Sequence, residues 1–212
     1  MIYCIGDSFT YGEELADRSK AWPIVLGQLL DRPVTNLGKP ATGNYRMVKR
    51  TMDSVFKGDA ELIVIGWSDP ARQEFGDDIS ICDLWAGRRF RGGQSASDHR
   101  MDLIKYMTAY DVPGYYYAKW LRQIILIQSF CRANNVKCIM FSACNAEDYN
   151  KKFDNKLVNS VDTSTYIDWP MMGASDWTYG TPHGPGGHFL DDGHRIVAER
   201  LNEHIRNIGW LP

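Results

Sequence analysis

The chain has 212 residues, with 24 Lys and Arg against 26 Asp and Glu for a formal net charge of −2, and it is 44% hydrophobic and 24% charged. That length suits one domain spanning 1–212, and the composition excludes disorder, which needs low hydrophobicity and high net charge. The one dense basic cluster, Arg88, Arg89 and Arg91, is too short to neutralise a phosphate backbone, so no nucleic-acid partner is expected.

Five cysteines, Cys4, Cys82, Cys131, Cys138 and Cys144, are odd in number and show no CxxC spacing. This pattern predicts reduced, mostly buried thiols rather than a disulfide framework or a zinc site. No apolar stretch approaches the roughly 20 residues that cross a bilayer. No basic segment followed by an apolar one opens the chain, so a cytoplasmic protein without a membrane partner is expected.

In chain order, residues 2–5 form an apolar run ending at Gly6, the pattern of a buried parallel strand. Residues 22–30 follow with Trp22, Val25, Leu26 and Leu29 at helical spacing, then a weaker strand over 34–37 entered through Pro33. A helix over 45–55, a strand over 62–65 and a long amphipathic helix over 115–133 come next. A strand over 136–141 precedes a last helix over 193–208, with Val197, Leu201 and Ile205 on one face. Strands alternating with helices predict βαβ units, a parallel sheet covered on both faces, and ligands at the carboxyl ends of the strands. Two polar, Gly-rich or aromatic-rich stretches, 77–111 and 145–187, break the alternation and read as irregular insertions, the first with a short helix near 101–107.

Gly6-Asp7-Ser8-Phe9-Thr10-Tyr11-Gly12 follows the first strand directly. A serine at a strand-to-helix turn stands at the carboxyl edge of the sheet, where its own N–H can face an oxyanion. The Gly-Asp-Ser at this position, the following Thr10-Tyr11-Gly12, and the Ala21-Trp22-Pro23…Leu26 entry into the next helix resemble the first block of the SGNH hydrolases, the GDSL esterase/lipase superfamily. The resemblance implies a flavodoxin-like three-layer α/β/α sandwich with a mainly parallel sheet. It also implies Ser8 as acyl nucleophile, with Asp7 in a supporting hydrogen-bond role.

A serine nucleophile needs a general base. His99 and His204 read as surface residues, while His183, His188 and His194 share one segment. The last block of that superfamily places its catalytic His five residues before a Gly opening the C-terminal helix; His188, Gly193-His194 and Ile196-Val197-Ala198 match it. His188 is therefore the expected base, His183 the alternative, and His194 a supporting or surface group. The chain departs from the resemblance at the Asp expected three residues before the base, since Pro185 precedes His188 and Gly180 precedes His183 at that spacing. Either a backbone carbonyl orients the imidazole, or an acid comes from elsewhere, Asp176, Asp191 and Asp192 being nearest in sequence, with Asp191 and Asp192 also suited to a helix start.

For the oxyanion hole, the resemblance assigns a glycine after the second strand. Gly43 is preferred because it opens a helix, and Gly38 is the alternative. At the position of the third block's Asn stands Ser68, in Gly66-Trp67-Ser68-Asp69-Pro70, and Asn44 is a substitute donor. The resemblance as a whole predicts a serine esterase with no metal or organic cofactor, acting on a small-molecule or carbohydrate ester with a short acyl group, such as O-acetyl. Trp67 and the aromatic residues of the 145–187 stretch are candidates to stack on sugar rings. The altered third block and missing Asp leave a second reading, an SGNH-like carbohydrate- or ligand-binding module with lost or weak hydrolysis.

Overall fold

A computed structural model describes residues 1–70, 72–75, 82–85, 114–144, 155–170 and 172–210. Four parallel strands form the central sheet: β1 (Ile2–Gly6), β2 (Val34–Asn36), β3 (Leu62–Trp67) and β6 (Lys137–Ser142), in the order β2-β1-β3-β6. Two short strands, β4 (Arg72–Phe75) and β5 (Cys82–Trp85), pair antiparallel to each other outside this sheet. The helices are α1 (Ser8–Tyr11), α2 (Trp22–Leu30), α3 (Asn44–Phe56), α4 (Tyr115–Ala133), α5 (Asn155–Asn159), α6 (Ala174–Trp177) and α7 (Asp191–Asn207).

The period-2 alternation of strand side chains sorts the core into two halves. Tyr3, Ile5, Ile63, Ile65, Trp67 and Met140 face α3 and α4, whereas Ile2, Cys4, Leu62, Val64, Ile139 and Phe141 face α2 and α7. Because both faces are covered, β1 and β3 are buried along their whole length. This is a three-layer α/β/α sandwich with the sheet inside, as the alternating apolar pattern predicts. Trp22, Trp67 and Trp120 are among the largest fully buried side chains; each removes roughly 150–250 Å² from water, about 4–6 kcal/mol of gross transfer energy at 25 cal/mol per Å².

The strand and helix boundaries fall within two residues of the sequence expectation, with α7 starting at Asp191 rather than 193. Two readings change. Part of the 145–187 stretch is built into the fold: Met140 N–H donates to Thr165 O at 2.8 Å and Ile167 N–H to Met140 O at 2.9 Å, so residues 165–167 run alongside β6, and Tyr166, Ile167 and Trp177 are buried. In the other stretch, β5 is an unexpected strand, and the helix expected near 101–107 lies outside the described residues. Cys4, Cys131 and Cys138 are buried free thiols. No helix among the described residues is long and apolar enough to cross a membrane.

Candidate active site

The parallel sheet delivers Ser8 to its carboxyl edge. β1 ends at Gly6, where a Cβ would meet Thr10 Oγ1 at 2.0 Å, so only glycine lets α1 fold back this tightly. Asp7 caps α1 by accepting from Phe9 N–H at 3.1 Å, and Gly12, at φ 83°, closes the turn with its N–H on Ser8 O. Ser8 therefore occupies the first position of the helix, where backbone N–H groups have no intrahelical acceptor. Ser8 is 5% exposed.

His188 approaches from the other end of the chain on a loop over 182–190. The loop is pinned by Gly184 N–H to His188 O at 2.8 Å, Gly187 N–H to Gly184 O at 2.9 Å and Leu190 N–H to Pro182 O at 3.1 Å. Its imidazole Nε2 lies 2.8 Å from Ser8 Oγ. The Phe9 ring packs on it with centroids 4.8 Å apart. The alternative base, His183, is exposed, and its Nδ1 lies 2.7 Å from Thr181 O.

The carboxylate on His188 comes from a place the sequence reading did not consider. Glu14 Oε2 lies 2.8 Å from His188 Nδ1. The same carboxylate accepts from Gly186 N–H at 2.7 Å and His188 N–H at 3.2 Å. A Cβ at Gly184 would sit 2.6 Å from the Glu14 carboxyl carbon, and one at Gly186 would sit 3.0 Å from Oε2. The glycines around His188 thus form a cradle for this side chain. Glu14 adopts φ 67°, a left-handed conformation that costs a non-glycine residue on the order of 1 kcal/mol and is tolerated where surroundings hold it.

The Gly186 N–H bond, with the bonds to His188 adding to it, holds the Glu14 carboxyl below the usual carboxylate range against the opposing effect of burial. An ionised carboxylate can only accept, so the proton is on Nδ1, and Nε2 presents its lone pair to the Ser8 hydroxyl. The acids expected nearby are committed elsewhere: Asp176 accepts from Gly173 N–H at 2.7 Å, and Asp191 pairs with Lys20. Asp7 is buried and ion-pairs with Arg72 Nη1 at 3.2 Å; burial pushes its carboxyl up while Arg72 opposes that shift. The two signals pointing to Glu14 were the adjacent Glu13-Glu14 pair just past the Gly-Asp-Ser block and the run of glycines before His188.

The expected oxyanion residues meet different fates. Gly43 is the extended N-cap of α3, at φ −89° and ψ 173°. The N–H of Gly38, the alternative, donates to Asn36 Oδ1 at 2.8 Å. Asn44 Nδ2 donates to Asp69 O at 3.0 Å and Ser68 O at 3.3 Å, while its Oδ1 accepts from Ser68 N–H at 3.0 Å. The Ser68 hydroxyl bonds to the Asp7 carboxylate and accepts from Arg72 Nη1 at 3.1 Å. Both side chains are thus engaged in fixing the end of β3. Trp67 is fully buried between the sheet and α3/α4, so it is not a surface platform for sugars, while the partly buried Trp169 stacks on Trp120.

His194, expected to support the site or lie on the surface, is a core residue with 0% exposure. Its Nδ1 accepts from Trp22 N–H at 3.1 Å and caps α2, whose N-cap Ala21 has no side-chain acceptor. Burial pushes its pKa down to about 4. Among the described residues, no three His, Cys, Asp or Glu side chains are grouped to hold a metal ion.

The fold is that of the SGNH hydrolases. It is similar to a protein assigned to the G-D-S-L lipolytic family from Desulfitobacterium hafniense DCB-2, with TM-score 0.54, 17% identity, 96% of this chain and 98% of that one. It is similar to TesA, with TM-score 0.61, 13% identity and 98% of each chain. A carbohydrate esterase family 2 enzyme with a carbohydrate-binding domain, from Corynascus thermopiles (Myceliophthora fergusii), matches with TM-score 0.57 and 13% identity over 99% of this chain and 66% of that one. No protein-family model matches the chain, and no curated protein matches its sequence.

Proposed function

We propose that the protein is a serine ester hydrolase in which Ser8 is the nucleophile, His188 the general base and acid, and Glu14 the carboxylate that orients the imidazole. The observation that supports this best is the unbroken chain Ser8 Oγ, His188 Nε2, His188 Nδ1 and Glu14 Oε2, with both links at 2.8 Å. A nucleophile, a base within hydrogen-bond reach and a third group fixing the base are the geometric signature of activated-serine chemistry.

In acylation, Nε2 takes the Ser8 proton as Oγ bonds to the ester carbonyl carbon, and the carbonyl oxygen becomes the oxyanion. The N–H groups of Ser8 and Gly43 are the proposed donors to it. The imidazolium, held through Nδ1 by Glu14, then gives its Nε2 proton to the leaving alkoxide as the C–O bond breaks. The products are the free alcohol and acyl-Ser8. In deacylation, Nε2 takes a proton from water, the hydroxide attacks the acyl carbon, and Oγ leaves with the proton returned from Nε2, releasing the carboxylic acid.

A short acyl group, including O-acetyl on a carbohydrate, is the preferred substrate. The cavity sharing Arg72 with the Asp7 ion pair has a volume of about 60 Å³ and is lined by Asn44, Tyr45, Pro70, Arg72, Tyr116, Lys119 and Gln123. Ser8 and His188 are not among its lining residues, so its volume does not set the acyl length. The likeness to a carbohydrate esterase supports a carbohydrate ester as substrate. The test is hydrolysis of p-nitrophenyl acetate with labelling by a fluorophosphonate: label on Ser8 and turnover are expected. A wild-type protein that neither labels nor turns over would leave a ligand-binding module as the better description.

A further inference from the structure

The site contains a second carboxylate that the mechanism above does not use. Gly12 and Glu13 both direct their backbone N–H groups at Ser8 O, at 3.1 Å each, so Glu13 is tied one turn beyond the nucleophile. The left-handed backbone at Glu14 then sends two adjacent carboxylates to opposite nitrogens of one imidazole. Glu14 lies on Nδ1 and is engaged by three N–H donors. Glu13 Oε2 lies 3.5 Å from Nε2, with its side chain 41% exposed. Among the described residues, no Lys or Arg lies within ion-pair distance of Glu13.

Nε2 is the atom that hands a proton to the departing oxygen. Proton transfer requires that oxygen within roughly 2.6–3.2 Å of Nε2. Adding the 3.5 Å separation of Nε2 and Glu13 places the leaving oxygen at most about 6.7 Å from the Glu13 carboxylate. At that separation the carbon next to the ester-bearing carbon can turn a polar group toward Glu13. A hydroxyl there donates a charge-assisted hydrogen bond to the carboxylate. A carboxylate, sulfate or phosphate there meets a like charge beside a half-enclosed site, where repulsion is less screened than in bulk water.

We infer that Glu13 is a specificity-determining residue on the leaving-group side, selecting esters of neutral polyhydroxyl alcohols over esters whose alcohol bears an anionic group. This inference rests on the Ser8–His188 hydrolase reading. It narrows that reading from esters in general to monoesters of vicinal diols such as neutral sugars.

The test compares kcat/KM for two esters with the same acyl group, methyl 4-O-acetyl-glucoside and methyl 4-O-acetyl-glucuronide, in the wild type, Glu13→Gln and Glu13→Lys. Because the ratio is taken within each protein, a general loss of activity cancels. The wild type is expected to favour the glucoside by about tenfold, the scale of one charge-assisted hydrogen bond. Glu13→Gln should bring the ratio to within about threefold of one, and Glu13→Lys should invert it. A wild-type ratio near one, or a ratio unchanged in both variants, would overturn the role of Glu13. Fluorophosphonate labelling separates the two levels. A protein that labels on Ser8 but cleaves neither sugar ester overturns the polyol assignment alone, whereas one that neither labels nor cleaves overturns the hydrolase reading beneath it.

Discussion

His188 and His194 belong to one short stretch of chain and touch the same aromatic cluster, yet their environments are opposite. Phe9 packs against both His188 and Phe189, and Phe189 in turn packs against His194. His188 lies on the glycine-rich loop, partly exposed, with a carboxylate on one nitrogen and the Ser8 hydroxyl on the other. His194 lies in the first turn of α7, fully buried, with Nδ1 spent on the start of α2 and Nε2 without a partner among the described residues. Burial outweighs the opposing pull of the Asp191 carboxylate, keeps His194 neutral and makes it a structural acceptor. An imidazole becomes useful for proton transfer when an acid fixes its tautomer and solvent or substrate can reach its other side. Residue type alone does not distinguish these roles; the partners do.

The comparison breaks most sharply if both histidines prove dispensable for turnover. Ser8→Ala and His188→Ala are each expected to reduce kcat on p-nitrophenyl acetate by about 10⁴-fold or more, while His194→Asn should retain most of the activity of the folded protein. A His188→Ala protein with near wild-type kcat would remove His188 from the chemistry.

Glu14→Gln comes next. It preserves shape but lets an amide replace the carboxylate on Nδ1, and a loss of roughly 10³–10⁴ in kcat with little change in KM is expected. An unchanged kcat would mean that the backbone of the loop suffices to orient the ring. Gly184→Ala sharpens the same point without touching any reacting group. Its Cβ would fall 2.6 Å from the Glu14 carboxyl carbon, so the carboxylate must move, and a loss of about 10²-fold follows from displacement on the ångström scale. Full activity in Gly184→Ala would show that the cradle is not needed.

The smallest effect is on stability. The folded-state pKa of His194 is about 4, against about 6.5 when unfolded. The unfolded chain therefore binds this proton first as pH falls. The contribution is fully present above about pH 6.5 and is lost as pH drops toward 4, amounting to about 2 kcal/mol between pH 7.5 and 5. Urea unfolding at the two pH values should show a smaller loss in His194→Asn than in the wild type. Equal losses would mean that other groups account for the acid sensitivity.

Much of the architecture was legible in the sequence because it rests on local patterns. Continuous apolar runs at β1, β3 and β6 predict strands buried on both faces, and Trp22, Leu26, Val197 and Leu201 fall at helical spacing on helices that do pack against the sheet. The strand–Gly-Asp-Ser–helix junction was also readable, since it is a short-range relation between neighbouring residues, whereas the place of His188 ahead of Gly193 came from the family resemblance. Trp67 illustrates the limit: its place at the end of a strand was clear, but whether it faced the cleft or the core depended on the face it shares with Tyr3, Ile5 and Met140.

The partnerships between distant segments arise only when the chain folds. Glu14 reaches Gly186 and His188 from 172 and 174 positions away, and no local rule links an acid after the first strand to a histidine before the last helix. Asn44 and Ser68, plausible donors in sequence, are engaged with each other's segments and with Asp7 and Arg72 once α3 and β3 are side by side. Hydrogen-bonding capacity is set by residue type, but which partner consumes it is set by packing, because a buried donor or acceptor takes whatever partner the fold brings within about 3 Å. The sequence determined the sheet, its helices and the place of Ser8 at the strand end; the folded chain decided which carboxylate lies on the imidazole.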